Sequence, residues 1–526
     1  MPKVITDAMK VVRELGYRYL WMDRLCIPQA KDEDSIKTRA ENISQMGLIY
    51  ATSVLTIIAA AGDSPEEGLA GVSPGIRSSQ PAINVGDRSI VAVTPPIIEI
   101  SESVWNTRGW TFQEAFLSRR RLVFTESQVY FQCQEEQYVE SLTATVPFSC
   151  YILTPAVFPP YGPYHDNDSD DESDYRGIYD YGGHGGWINT SILQVFDIVK
   201  QYAYRKFTNA DDAYDAFRGI LLYFKSQNPP VYFLMGLPIL SPDPRTKQNS
   251  AQDPILGKGE GDQERLEEPS DEIKELSLAL SWSYLSDNGS EFGGTADIKV
   301  GMARRTQFSS WSWLGWENCP DNLYYRVYDP DRDESEVGPM INAYHLWSAK
   351  VHFHHGNIIS WDSGWRRICD KSETCKTSFM DLDGLLLDLP MEFSVDRLRW
   401  GPPFATAFKD TTNFYVQVSK SAKEAVIHKF GGEKTHLFTS LLLASSGAEP
   451  KAFGLLLLDR VQNQPGELAL FERLDFVYLN PDSDPDLNPN LDTAPKTDYD
   501  HDDEQLIKEK PGIWPDKFRR SQIRLR

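Results

Sequence analysis

The periodicity of the first sixty residues constrains the fold more than any other feature. Val4, Ile5, Ala8, Val12 and Leu15 recur at helical spacing and Gly16 supplies a stop, so residues 4–15 read as an amphipathic helix. Tyr17–Met22 follows as an aromatic and apolar run without helical spacing, which predicts a buried strand. Beyond a polar loop, Ile36, Ala40, Ile43, Met46 and Ile49/Tyr50 form one apolar helix face, and Val54–Ala60 is a β-branched and apolar strand. Strand, helix and strand make a βαβ unit, which predicts Tyr17–Met22 and Val54–Ala60 as adjacent parallel strands with a right-handed crossover. Ligands of open α/β sheets bind beyond the carboxyl ends of strands, where this chain carries Asp23, Cys26 and Gln29. Two readings stand there: a site, or Asp23 capping the next turn and Cys26 filling an apolar gap.

At 526 residues the chain accommodates two to four domains of roughly 100–200 residues each. An α/β domain is placed at 1–145, with further strands at Ser89–Val93, Leu122–Thr125 and Gln128–Cys133. An acidic and Gly-rich insertion follows at 146–190, where Asp166–Asp174 holds six acidic residues in nine. Its cluster Gly182-Gly-His-Gly-Gly186 lacks GxxxxGK[ST] and GxGxxG spacing, so it reads as a mobile insertion rather than a phosphate cradle. Residues 191–330 read as a helical segment and Trp-rich strands such as Ser310-Trp-Ser-Trp313, with a disordered linker at 242–275. Residues 331–479 read as β-rich, from alternating runs at Lys350–His354, Leu385–Leu389 and Leu455–Leu458, and 480–526 as an acidic, largely disordered tail.

The net charge is -23, with Asp+Glu 76 against Lys+Arg 53, and no basic stripe is present, which argues against a nucleic-acid partner. The six cysteines show no CxxC spacing, and His352, His354 and His355 lack a completing ligand set, so neither a disulfide scaffold nor a metal site is expected. No apolar run approaches the ~20 residues of a membrane span, and no signal peptide is visible. The expectation is a cytoplasmic protein without cofactor.

Trp105–Ser118 reads as a turn entering a short helix, which sets Glu114 in a crevice walled by indole rings. Apolar walls raise a carboxyl pKa and suit it to general acid/base work or to stabilising an oxocarbenium ion. The plainer alternative is a glutamate favoured by the helix dipole, or a partner of Arg108. Arg108 reads as a bidentate phosphate ligand or a structural ion pair. Trp105 and Trp110 suit the core. A parallel sheet gathers strand ends and helix starts at one edge. Asp23 and Glu114 are therefore expected to converge as a catalytic pair, carboxyls within about 10 Å, with Arg108, Trp110, Gln113, Cys26 and Gln29 as ligand-binding residues.

Three ordered blocks stand out: Leu20-Trp-Met-Asp-Arg-Leu-Cys-Ile-Pro-Gln29, Met46–Ala60 with Gly68-Leu69, and Trp105–Ser118 leading to Phe131-Gln-Cys133. On these the sequence resembles the fungal heterokaryon incompatibility (HET) domain family. Phe207–Gly219, Phe233–Pro238, Leu278–Tyr284 and Ser310–Trp313 are similar to segments that follow the domain, extending the likeness through residue 316. The resemblance implies non-self recognition between hyphae and programmed cell death when incompatible cells fuse, exerted through protein assembly with protein partners or by self-association. It also implies a distant likeness to the TIR fold, a flavodoxin-like α/β parallel-sheet sandwich. Some TIR domains cleave NAD with a catalytic glutamate and others only assemble, so NAD enters as the substrate of the alternative reading; no TIR residue matches position by position. Family members usually carry an aromatic strand ending in Trp-Gly before the first helix. This chain begins in that helix, so a sheet lacking its first strand is expected, with neighbouring backbone groups unpaired.

Overall fold

A short sheet packed on both faces organises the N-terminal part of the chain. The structure, a computed structural model, describes residues 1–73, 77–133, 136–142, 190–228, 230–240, 271–284, 303–317, 323–325, 343–344, 346–394, 399–401, 416–417, 435–445, 453–461, 467–479 and 519–526. Two units divide it: Met1–His184 with Arg205–Tyr223, and Gly185–Tyr204 with Phe224–Arg526. The expected insertion Asp166–Gly186 and tail segment Asn480–Glu509 lie outside the described residues.

In the first unit, helices Lys3–Glu14 (α1), Asp23–Cys26 (α2) and Glu33–Thr52 (α3) lead into strand Thr56–Ala59 (β1). Asp32 caps α3 by accepting the Ser35 N–H at 2.9 Å. An exposed hairpin of Ala82–Val85 (β2) and Arg88–Val91 (β3) follows, then helices Pro96–Glu102 (α4), Val104–Thr107 (α5) and Gly109–Leu117 (α6). Strands Arg121–Phe124 (β4), Val129–Gln132 (β5) and Gln137–Val139 (β6) complete a sheet of order β1-β4-β5-β6.

Alternation along these strands builds the layers. Ile58, Val123 and Tyr130 pack with Ile100, Trp105 and Ala115 from α4, α5 and α6. Ile57, Ala59, Leu122, Phe124 and Val129 pack with Val4, Ala8 and Val11 of α1. The result is an α/β sandwich, each fully buried aliphatic side chain contributing roughly 1.5–3 kcal/mol. Asp7, buried on α1, accepts the Leu69 N–H at 3.1 Å and the Lys10 ammonium at 3.0 Å. Burial pushes its pKa up, but hydrogen bonds from Ser73, Lys10 and Leu69 outweigh that and leave it below the ordinary value. Gly68, at φ +88°, fits there because a Cβ would meet Asp7 Oδ2 at 2.3 Å.

Two expectations are corrected. Tyr17–Met22 is not a strand of this sheet, and β1 takes β4, not that segment, as its parallel partner. The apolar alternation of Tyr17–Met22 has another cause: Leu20 and Met22 pack toward α1 while Trp21 packs toward α3, and burial on both sides needs no ladder. Nor is the sheet all-parallel, because β4–β5 and β5–β6 are antiparallel. The Phe124–Val129 connection closes with the Thr125 N–H on Gln128 O at 3.0 Å, and so short a loop joins only antiparallel strands.

Helices Thr190–Ala203 (α7) and Asp212–Lys225 (α8) form where helical periodicity is read; α8, to Tyr223, belongs to the first unit and α7 to the second. In the first unit α3 and α8 meet at glycines: a Cβ on Gly47 would lie 2.8 Å from Gly219 Cα.

After α7 the second unit continues with a hairpin of Val231–Leu234 (β7) and Leu237–Leu240 (β8), turned by Met235 and Gly236, both at positive φ. The expected linker 242–275 is corrected at its end, because Asp271–Ala279 (α9) is a helix; Ile273, Leu276 and Leu280 are fully buried at helical spacing. Ser310–Trp313 is also not a strand. Trp311 and Trp313 are both fully buried, and Ser312 accepts the Leu314 N–H at 3.1 Å in a tight 3₁₀ turn. The β-rich reading holds beyond: Thr377–Ser394, Thr435–Ser445, Phe453–Val461, Leu470–Leu479 and Arg519–Leu525 close into a ring, since the first pairs with both the second and the last.

Candidate functional site

Arg108, in extended conformation, turns the chain from α5 into α6, and its neighbour Gly109 is obligatory because a Cβ would meet the Phe207 ring at 1.9 Å. The Gly109 N–H donates to Lys206 O at 3.0 Å and the Lys206 N–H to Thr107 O at 2.7 Å, pinning this turn to the segment before α8. Phe112, Ala115 and Phe116 are buried along α6, and Glu114 lies among them part-buried.

Glu114 accepts a hydrogen bond from the Trp105 indole, and among the described residues it closes no ion pair. Burial raises its pKa to about 7; the Asp23 carboxylate adds to the rise, while Arg108, the indole hydrogen bond and Arg205 oppose it. Tyr50, buried on α3 and edge-on to Trp21 at 5.9 Å between centroids, is pushed up by desolvation and by the charges of Glu114 and Asp23. Its phenol therefore stays neutral, within the field of both carboxylates. Arg205 is buried behind the turn: it donates to Arg108 O at 3.0 Å, to Thr111 Oγ1 at 3.2 Å and to Asn106 Oδ1 at 2.7 Å, and its guanidinium lies 4.5 Å from the Phe112 ring centroid.

Asp23 is exposed at the start of α2, its Oδ1 accepting the Arg24 N–H at 2.6 Å. Arg108 is exposed, and its guanidinium acts on Glu114 through its charge. Asp23, Arg108 and Glu114 thus share one electrostatic neighbourhood. The other candidates have local duties. Cys26 is exposed, with Sγ accepting the Met22 N–H at 3.4 Å, and Gln29 donates to Ile27 O at 2.9 Å. Trp110 packs with Ile27, Met46 and Tyr50, its indole donating to Asp212 at 3.1 Å. Gln113 is buried and accepts the Gly219 N–H at 2.7 Å, with its Nε2 unpartnered.

Neither Tyr50 nor Arg205 was read from the sequence as a site residue. Tyr50 carried a usable signal, one turn beyond Met46 on the same apolar face; Arg205 carried none. A part-buried carboxyl near pH 7, beside a neutral phenol and a free guanidinium edge, is equipped to exchange a proton or to face a developing cation. Among the described residues no group of three or more His, Cys, Asp or Glu is placed to hold a metal, and no helix is long and apolar enough to cross a membrane.

No curated protein and no solved structure matches the chain. Residues 1–114 match the family model described as Heterokaryon incompatibility protein (HET).

Proposed function

From a chain whose residues 1–114 match the heterokaryon incompatibility family model, we propose a protein of fungal non-self recognition whose N-terminal domain triggers cell death by cleaving NAD with Glu114. The observation that carries this reading is the Glu114 carboxyl: it is desolvated to a pKa of about 7 and closes no ion pair among the described residues. As a carboxylate it stabilises the ribosyl cation left when the glycosidic C–N bond breaks and nicotinamide departs with the bonding pair; water then bonds to that carbon, gives its proton to the carboxylate and leaves ADP-ribose. Tyr50 donates to the leaving assembly or to a ribose hydroxyl, Arg108 binds the pyrophosphate, and Asp23 holds the field that keeps Glu114 basic.

Incubating the purified chain with NAD tests this. Nicotinamide release that rises with pH through about 7 and is lost in Glu114→Gln supports it; release unchanged in that variant sinks it. The second reading is death-inducing assembly without chemistry, favoured by the exposed apolar residues Ile83, Val85, Ile90 and Val91 of the β2–β3 hairpin. Killing that persists undiminished in Glu114→Gln decides for assembly.

A further inference from the structure

Arg205 is a buried charge of the first unit to which the hydrolysis reading gives no part. Its guanidinium is 4% exposed, and a cation is costly to take out of water unless its donors are placed. The fork spans one stretch of chain, from α5 to α6. Nη2 donates to Asn106 Oδ1 at 2.7 Å, and Nη1 donates to Arg108 O at 3.0 Å and to Thr111 Oγ1 at 3.2 Å. Asn106 is itself oriented, its Nδ2 donating to Ser101 O at 3.2 Å. The Phe112 ring lies 4.5 Å from the guanidinium carbon and stacks on Phe217 of α8 at 6.4 Å between centroids. Thr111 carries the contact onward, because its hydroxyl lies 2.6 Å from Trp105 O as well as 2.8 Å from Arg108 O. Trp105 is the residue whose indole donates to Glu114.

We propose that Arg205 is the positioning residue of this site: its fork fixes α6 against α5 and so holds the Trp105 indole on the Glu114 carboxyl. The proposal rests on the reading of Glu114 as the reacting carboxyl. The relay runs from Arg205 through Thr111 to the Trp105 carbonyl, and all three residues are buried, so water does not compete for its bonds. A planar fork suits three acceptors at fixed angles, which an ammonium on a flexible stem does not reproduce. Arg205 thus reaches Glu114 by two routes, by geometry through Trp105 and by charge directly, and both favour the carboxylate form. The remaining titratable groups in the field of Glu114 are Asp23 of α2, Arg108 of the turn and Tyr50 of α3. Substitution at Arg205 or Thr111 leaves all three in place.

Titration of Glu114 in the full chain tests this without calling on hydrolysis, read by NMR of isotope-labelled glutamate carboxyls and assigned by the signal lost in Glu114→Gln. The wild-type midpoint is expected at about 7. Arg205→Lys keeps the charge and loses the fork, and Thr111→Val keeps the shape and breaks the relay. Each is expected to raise the midpoint by about half a unit or more, with far-UV circular dichroism unchanged. Combined, they should raise it no further than the larger single change, because both cut one network. In nicotinamide release, Arg205→Lys should lower kcat about tenfold and leave KM within about twofold, since no group that touches substrate is removed. A midpoint that Arg205→Lys leaves in place, or a loss carried by KM alone, overturns the proposal. If Arg205→Lys fails to fold, Thr111→Val decides by the same titration. A wild-type chain that releases no nicotinamide ends the hydrolysis reading, and the carboxyl titration still decides whether Arg205 positions Glu114.

Discussion

Two carboxylates in the two units receive opposite treatment. In the second unit Asp381 is part-buried on the ring, yet it holds Arg524 through two hydrogen bonds of 2.6 and 2.9 Å and lies 2.8 Å from His352 Nε2. Burial pushes Asp381 up, and those partners more than offset it, so it stays below its ordinary value. In the first unit Glu114 has an indole in place of a guanidinium, and burial wins. The contrast extends to apolar surface. Of the described large hydrophobic side chains that stand exposed, all but Ile358 belong to the first unit, whereas Trp282, Trp313 and Trp361 of the second are fully buried with indoles donating to backbone carbonyls. A unit that neutralises its charges and covers its aromatics is built to persist. One that leaves a carboxyl unneutralised and apolar side chains exposed holds free energy where ligands and partners can use it.

The same chemical change should therefore act with opposite sign in the two units. Glu114→Gln is expected to cut NAD hydrolysis by about 10²- to 10⁴-fold. Its effect on stability runs the other way. A carboxyl with a folded pKa above its unfolded one destabilises the fold once the pH exceeds the unfolded value, so removing the charge should stabilise the first unit at pH 8 by about 2 kcal/mol. Asp381→Asn strands Arg524 and should destabilise the second unit by about 1–3 kcal/mol. Urea titrations at pH 8, followed by hydrogen exchange in each unit, check both. Two substitutions moving in the same direction would break the comparison.

Packing gives the next effect. Gly219→Ala sets a Cβ 2.1 Å from Gln113 Oε1 and 2.8 Å from Gly47 Cα. Backbone atoms cannot yield as a flexible side chain can, so the first unit should lose about 1–3 kcal/mol. Thermal denaturation reads it, and a neutral result would mean that α3 and α8 do not meet at these glycines.

These cases mark how far the sequence could be read. Helices α1 and α3 followed from apolar spacing, and the β1, β4 and β5 strands from short β-branched runs, because those patterns report burial on one face of an element. Pairing was not legible: Tyr17–Met22 and β1 have equal claims as strands, and only the three-dimensional path sets β4 beside β1. The Trp311–Trp313 run failed for a related reason, since alternate burial arises in a tight turn enclosed on both sides as readily as in a strand. The desolvated setting of Glu114 was legible from the aromatic residues around it. Arg205 was not, because its hydrogen bonds to Asn106, Arg108 and Thr111 join segments far apart in sequence.

A smaller effect isolates the indole. The Trp105 hydrogen bond favours the charged form of Glu114 and so lowers its pKa. Trp105→Phe keeps most of the apolar wall and removes that donor. The midpoint of the pH–rate profile should move up from about 7 by about one unit, the equivalent of one hydrogen bond to a charged group. A midpoint that falls would show that lost burial outweighs the lost bond.

The smallest expected effect is the pH dependence of stability, which separates the units without mutation. Glu114 has a folded pKa of about 7 against an ordinary 4.5, so its contribution is most favourable below 4.5 and is lost as the pH rises through 7. Asp381 is depressed below its ordinary 3.8, so its contribution is present above 3.8 and is lost as the pH falls through the depressed value. The partly exposed Asp381–Arg524 pair contributes about 1 kcal/mol, less in high salt. Hydrogen exchange between pH 3 and 8, corrected for intrinsic rates, should thus show the sheet of the first unit loosening between about 4.5 and 7 while the ring of the second holds. Only below 3.8 should the ring loosen in turn, beginning at Arg519–Leu525, where Arg524 pairs with Asp381. Parallel loosening of both units over the whole range would mean that Glu114 is neutralised in solution by a partner the structure does not place beside it, and the assignment of the acid/base role would fall with it.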